Sequence, residues 1–315
     1  MIETNELNKN AMGGTELMMA GLHKYVSKDL LDRVQIIPSR TREIDPDRKT
    51  ILWLHDLAGD PEVQHLKDGG WKEYDKLVFV SHWQQQMYNA YLGVPYSAGT
   101  VLRNAIEPIE FHTKPAISGV DEPVRLIYTS TPHRGLDVLY PVFNELSKEY
   151  DNIELDVYSS FCLYGWPERD RQFEQLFDKL REHPQINYHG SKSNDEVRAA
   201  LQNAHIFAYP STWQETSCLC LIEAMSAGCL AVHSTLAALP ETSMSMTQMY
   251  GYNESNSEHA SVFYAHLKHG IETFLTRRDS VESNLDVVRQ LANSIYSWDG
   301  RKGQWDHLLK SMLVS

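Results

Sequence analysis

Apolar residues fall along the chain in short runs rich in β-branched and aromatic side chains, separated by longer stretches in which apolar positions recur every three or four residues. Strands of a parallel sheet are buried on both faces and read as continuous apolar runs, whereas the helices that connect them show a one-sided stripe. The alternation therefore predicts βα units around mainly parallel sheets. In the first part of the chain it gives a helix over Thr15–Ser27 and strands at Val34–Pro38, Thr50–His55 and Lys76–Ser81. A helix at His82–Tyr91 and a strand near Thr100–Leu102 complete that series.

The segment NAIEPIEFHTKPAISGVDEP has prolines at 108, 115 and 123 and no period, which marks a linker. Beyond it the alternation restarts. Strands are predicted at Arg125–Ser130, Ile153–Ser160, Ile186–Gly190, His205–Ser211 and Cys229–Ser234. Helices are predicted at Leu136–Tyr150, Arg169–Glu182, Asn194–Asn203 and Cys218–Ala227. From Ser255 onward the pattern is helical throughout, ending in WDGRKGQWDHLLKSML. The expected class is α/β: two Rossmann-like domains whose parallel sheets face each other across a cleft. The division is 1–115, 116–290 and a C-terminal helix over 291–315 that could pack back on the first domain. That first domain is expected to be short, because residues 1–12 carry no apolar run.

Composition narrows the functional classes. With 42% hydrophobic and 23% charged residues in 315, the chain can bury a sizeable core and is not mainly disordered. The net charge of -13 argues against a general polyanion binder, which needs clustered Lys and Arg. The acidity is uneven, however. Residues 1–115 hold 13 basic and 16 acidic side chains, and 116–315 hold 16 and 26, so the nearly balanced first part leaves room for an anionic acceptor. Four cysteines without a CxxC pair give neither a disulfide framework nor a zinc motif. The polar start and the lack of an apolar span set the expectation of a cytoplasmic protein.

Four stretches carry candidate chemistry. In PSTWQETSCLCLIEAMSAGCLAVHS, Glu215 sits at a turn and Glu223 in a helix, about 12 Å apart if the helical rise applied throughout. Carboxylates at that spacing can hold hydroxyls of two sugars while the free N–H groups of the first turn face phosphates, with Ser217 as the expected N-cap. Glu223 lies in an otherwise apolar helix and so needs a partner. In TSTPHRGLDVL, Arg134 follows a strand's carboxyl end and can fork onto a diphosphate. Gly13 and Gly14 open a helix whose N-terminus can accept an anion, and His55 ends a buried strand beside Asp56. The DPD at Asp45–Asp47 precedes a strand and reads as a surface turn. GxGxxG, GxxxxGK[ST] and GxSxG are all absent.

Taken in order, these pieces resemble the retaining, GT-B-fold glycosyltransferases of family 4, the group related to glycogen and sucrose synthases. VFVSHWQQQMY, VLRNAIEPIEF, RLIYTSTPHRGLDVL and above all ETSCLCLIEAMSAGCLAVHS carry the resemblance, the last through a Glu-x7-Glu block followed by a Gly and a strand. The resemblance implies that Glu223 holds the ribose hydroxyls of a nucleotide-diphosphate-sugar donor and that Glu215 lies against the transferred sugar. It places the backbone of Thr216, Ser217, Cys218 and Leu219 on that sugar and the distal phosphate. Arg134 would neutralise the leaving diphosphate, Gly13 and Gly14 would approach it from the other domain, and His55 would sit beside the sugar. Transfer with retention, without metal or cofactor, is the implied reaction, to an acceptor that could be saccharide, lipid, protein or nucleic acid. A non-catalytic nucleotide- or carbohydrate-binding protein, or a GT-B phosphorylase or epimerase, would use the same cleft.

Overall fold

The computed structural model describes residues 13–40 and 43–314. The first domain opens with α1 (Gly14–Tyr25) and a single turn, α2 (Lys28–Leu31), then β1 (Val34–Pro38) and β2 (Lys49–Leu54). A 3₁₀ segment over Pro61–Glu73 leads to β3 (Lys76–Phe79), α3 (His82–Leu92) and β4 (Gly99–Val101). These four strands form one parallel sheet in the order β1-β2-β3-β4. Successive residues of β2 serve opposite faces, as the pleat requires: Ile51 and Trp53 join the core under α1, while Leu52 and Leu54 join the core with Leu66, Tyr88 and Leu92. Residues 1–12, whose lack of an apolar run set the expectation of a short first domain, lie outside the described residues.

The second domain contains β5 (Val124–Thr129), α4 (Leu136–Glu149), β6 (Ile153–Tyr158), α5 (Glu174–Glu182), β7 (Ile186–Tyr188), α6 (Asn194–Asn203) and β8 (Ile206–Tyr209). It continues with α7 (Leu219–Ser226), β9 (Leu230–Ser234), the turn α8 (Leu239–Thr242), β10 (Gln248–Tyr250) and α9 (Asn256–Ile295). The six strands are parallel, ordered β10-β9-β8-β5-β6-β7. The chain runs outward from β5 through β6 to β7 and then returns to place β8 on the other side of β5. That is a topological switch point, where open α/β sheets bind ligands at their carboxyl ends. The segment after β6 differs from the expected long helix, since Phe161–Tyr164 and Pro167–Phe173 are 3₁₀ and α5 begins only at Glu174. Aromatic and proline residues in FCLYGWP compete with regular helix there.

The chain crosses between domains twice, side by side. Ile106 N donates to Tyr296 O at 2.7 Å and Trp298 N to Ile106 O at 3.1 Å, so the linker and the return strand hold each other. Beyond this bridge α10 (Trp298–Val314) packs into the first domain's core through Trp298, Trp305, Leu309 and Met312. Trp305 meets Trp53 of β2 edge-on at 4.9 Å. No helix among the described residues is long and apolar enough to cross a membrane.

Candidate functional site

A cleft of about 920 Å³ lies between the carboxyl ends of the two sheets. From the second domain, Thr129 and Ser130 end β5, and the next turn delivers His133 and Arg134. Gly135 then takes φ +102, a left-handed conformation, and a Cβ there would lie 2.1 Å from Pro210 O. Only glycine fits a turn so close to the end of β8, and this turn fixes where Arg134 points.

Arg134 Nη1 donates to Glu215 Oε1 at 2.7 Å, and Nη2 reaches the Tyr164 hydroxyl at 3.4 Å. Burial opposes the guanidinium's charge, but Glu215 beside it holds its pKa well above the ordinary value. The same Glu215 oxygen accepts from the Tyr209 hydroxyl at 2.5 Å. Arg134 Nε and the Thr129 hydroxyl are buried without a partner at this spot, as are Asn104 Oδ1 across the cleft and Ser159 Oγ. Buried polar groups are normally satisfied, so orphans gathered along one cleft point to a polar ligand there.

The first domain closes the other side. Gly13 is the N-cap of α1, and a Cβ on it would stand 2.5 Å from the Tyr164 ring; one on Gly14 would stand 3.2 Å from Leu219. The glycine pair thus allows the two domains to touch. His55 follows β2, and its Nε2 is buried without a partner. Burial pushes the imidazole down to about 3, so near neutral pH the ring is uncharged and offers hydrogen bonds instead of a proton-carrying cation. Asp56 beside it has its carboxyl raised, by burial first and then by Asp60.

Residues 215–219 join the walls. The Thr216 hydroxyl donates to His55 O at 2.9 Å, and Ser217 O accepts from Asn104 Nδ2 at 3.5 Å. The N-cap of α7 is Cys218, with no side-chain cap, so Ser217 does not cap the helix. The helix begins one residue later than expected because Cys218 keeps an extended ψ of 99°. The helical rise behind the 12 Å spacing therefore applies only from Leu219 to Glu223, about 6 Å of it. Cys218 is buried with its Sγ 3.3 Å from that of Cys220, and Leu219 opens α7 against Gly14.

Glu223 has the partner its burial demands. Arg198 Nη1 donates to Oε1 at 2.9 Å, and Asn194 Nδ2 lies 3.2 and 3.4 Å from the two oxygens. Burial pushes the Glu223 carboxyl up, and Arg198 pulls it back. Sequence reasoning did not reach these partners, nor Tyr209 and Tyr164. The signal for the first pair was present in Ser193-x-x-Glu196, a capping box that fixes the start of α6 and sets Asn194 and Arg198 one turn apart on a single face.

It also missed an aromatic wall. His133 stacks on Phe161 at 5.1 Å and meets Trp213 edge-on at 4.9 Å, while Arg169 covers Trp166 at 4.2 Å. Burial, then Arg134 and Arg169, push His133 down to about 4. Asp45 accepts from Arg48 at 2.6 Å in a surface turn away from the cleft. Among the described residues no group of three or more His, Cys, Asp and Glu is placed to share a metal ion.

Two Rossmann-like domains with parallel sheets, facing across a cleft closed by charged side chains and helix N-termini, define the GT-B fold. Residues 118–244 match the family described as Glycosyl transferases group 1. A glycosyltransferase from Rickettsia africae superposes with a TM-score of 0.69 at 14% identity, covering 98% of this chain and 83% of its own. The Anabaena protein HepE, solved with UDP-glucose, gives 0.63 at 16% identity over 84% of this chain and 72% of its own. Among curated proteins, the gpi3 subunit of phosphatidylinositol N-acetylglucosaminyltransferase from Schizosaccharomyces pombe is 22% identical over 286 residues, which is 88% of this chain. The chain spans 58% or less of the length of the curated relatives it matches.

Proposed function

We propose that this protein is a glycosyltransferase that moves a sugar from a nucleotide-diphosphate donor to an acceptor hydroxyl, with retention of configuration and without a metal ion. The observation that carries the reading is the convergence on one cleft of two buried carboxylates, a half-buried guanidinium whose Nε is buried and unpaired, and an uncharged imidazole. In this reading Glu223 takes the ribose hydroxyls, Glu215 the transferred sugar, and the N–H groups opening α7 the distal phosphate and sugar. Arg134 offsets the charge that grows on the leaving phosphate, which is the largest electrostatic demand of the step. The C1–phosphate bond breaks, the acceptor oxygen bonds to C1 on the same face, and its proton passes to the departing phosphate oxygen. His55 orients a sugar hydroxyl. The UDP-glucose named with HepE and the sugar transfer named for the gpi3 subunit both support a nucleotide-sugar donor. A cytoplasmic location is part of the proposal, in keeping with four free thiols.

The test is a panel of nucleotide sugars scored for nucleotide release, with and without chelator. Release from one donor class, insensitive to chelator and lost in Glu215→Gln, is expected. Strict chelator sensitivity removes the metal-free step. Tight nucleotide binding without turnover of any donor, with any acceptor or with water, returns the protein to a binding role.

A further inference from the structure

We infer that Arg198 is the positioning residue for donor recognition: it holds the Glu223 carboxylate ready for ribose and ties that carboxylate to the interdomain linker. The inference rests on the glycosyltransferase reading and extends it to a residue outside every motif that suggested it.

The geometry is specific. α6 starts at a complete capping box, Ser193 with Glu196, so its first turn is fixed. Asn194 and Arg198, four residues apart, then lie on one face and both reach Glu223 on α7. Arg198 Nη1 and Asn194 occupy Oε1, while Oε2 has only the Asn194 contact at 3.4 Å and keeps capacity to accept hydroxyls. Arg198 does more than neutralise. Its Nη2 donates to the backbone O of Glu107 at 2.7 Å, in the linker between the domains. A single guanidinium, 18% exposed, therefore connects the Glu223 carboxylate to the interdomain linker. A lysine supplies one point charge and cannot reach both acceptors with a planar fork. Without a cation, a carboxylate as buried as Glu223 is driven toward its neutral form, which donates where a ribose hydroxyl also needs to donate.

A tie between α6 and α7 that was merely structural would weaken all ligands alike. Ribose discrimination separates the two roles. Calorimetry with UDP, GDP and ADP identifies the nucleoside diphosphate bound most tightly by the wild type. That nucleotide and its 2′,3′-dideoxy counterpart are then titrated into wild type, Glu223→Gln, Arg198→Met and Arg198→Lys, with melting curves to confirm folding. Wild type should favour the ribonucleotide. Arg198→Met should lose about tenfold or more on the ribonucleotide and change less than about twofold on the dideoxy form, as Glu223→Gln does. Arg198→Lys should recover part of the difference, which gives a readout even if Arg198→Met folds poorly. Equal weakening of both nucleotides in both Arg198 variants, or no weakening in either, overturns the assignment while leaving Glu223 in place. Failure of the wild type to bind any of the three nucleotides overturns the donor reading itself.

Discussion

Arg134 serves Glu215 in the free protein and, on the proposed reading, a diphosphate in the complex. This shared use can be measured. The pair is 2.7 Å long, with side chains 21% and 7% exposed. Removing one member of such a buried pair costs roughly 3–5 kcal/mol, because the other charge stays buried and uncompensated. Arg134→Met leaves Glu215 with the Tyr209 hydroxyl at 2.5 Å, so the lower end, about 3 kcal/mol, is expected. Glu215→Gln leaves a more exposed guanidinium and should cost about 2 kcal/mol. The double variant removes both charges and should cost well under the sum, a coupling on the order of 2 kcal/mol. Urea unfolding of the four proteins, with the m-value checked for domain-by-domain melting, gives these differences. Nucleoside diphosphate binding supplies the functional half. Arg134→Met should weaken it about tenfold or more, whereas Glu215→Gln frees the guanidinium and should leave the sugar-free nucleotide bound as tightly as before or tighter. Additive stabilities refute the pair as a coupled unit. Unchanged nucleotide affinity in Arg134→Met refutes its assignment to the diphosphate.

Two further predictions concern stability. Burial pushes His55 down to about 3 and His233 to about 4, below the 6.5 of the unfolded chain. The unfolded state therefore binds the extra protons, so stability is flat above about pH 7, falls from about 6.5 downward, and has lost roughly 2 kcal/mol per histidine by pH 5. Denaturant midpoints at pH 7 and pH 5 should show the drop, and His233→Gln should reduce it by that histidine's share, roughly 2 kcal/mol; a midpoint that rises on acidification contradicts the sign. Ala237 follows β9 with φ +55, and the next amide donates to Glu215 O at 3.1 Å. A left-handed alanine costs roughly 1–2 kcal/mol, and glycine returns about 0.5–1 of this in unfolded-state entropy, so Ala237→Gly should stabilise by about 0.5 kcal/mol. A loss in the same unfolding assay would show that the Ala237 methyl is needed for packing.

The parts of this architecture that could be read in the sequence are those a single element encodes by itself. β1 and β3 appear as apolar runs, and α3 announces itself because Ser81 at its start accepts from Gln84 N and Gly93 at its end turns left-handed. β10 does not, since Gln248–Tyr250 is three residues with a polar lead, shorter than any alternation can register. The helical character of 298–314 was likewise legible, and a return to the first domain was an expectation, but the partner it meets there was not. Nothing local states that Trp305 will meet Trp53 across the fold.

The same boundary runs through the candidate site. Positions such as Gly13, His55, Arg134 and Glu215 stand at or just past element ends, where an open α/β sheet gathers its ligand contacts, and Glu223 stands out as a carboxylate inside the apolar α7, so pattern and spacing bring them into view. Their electrostatic state depends on residues far along the chain: Arg134 on Glu215, 81 residues away, and Glu223 on Arg198, 25 residues away. Burial alone required a partner for Glu223 without naming it. Burial also turned His55 from a possible proton carrier into a neutral hydrogen-bonding group, a change no spacing encodes. The nearly balanced charge of the first part of the chain was no better guide to its cleft. Among the described residues that wall presents Glu16, Asp56 and Asp60 against Arg40. On the proposed reading, a phosphate-bearing acceptor entering there would meet three carboxyls and one guanidinium among the described residues, a local balance that the domain total conceals.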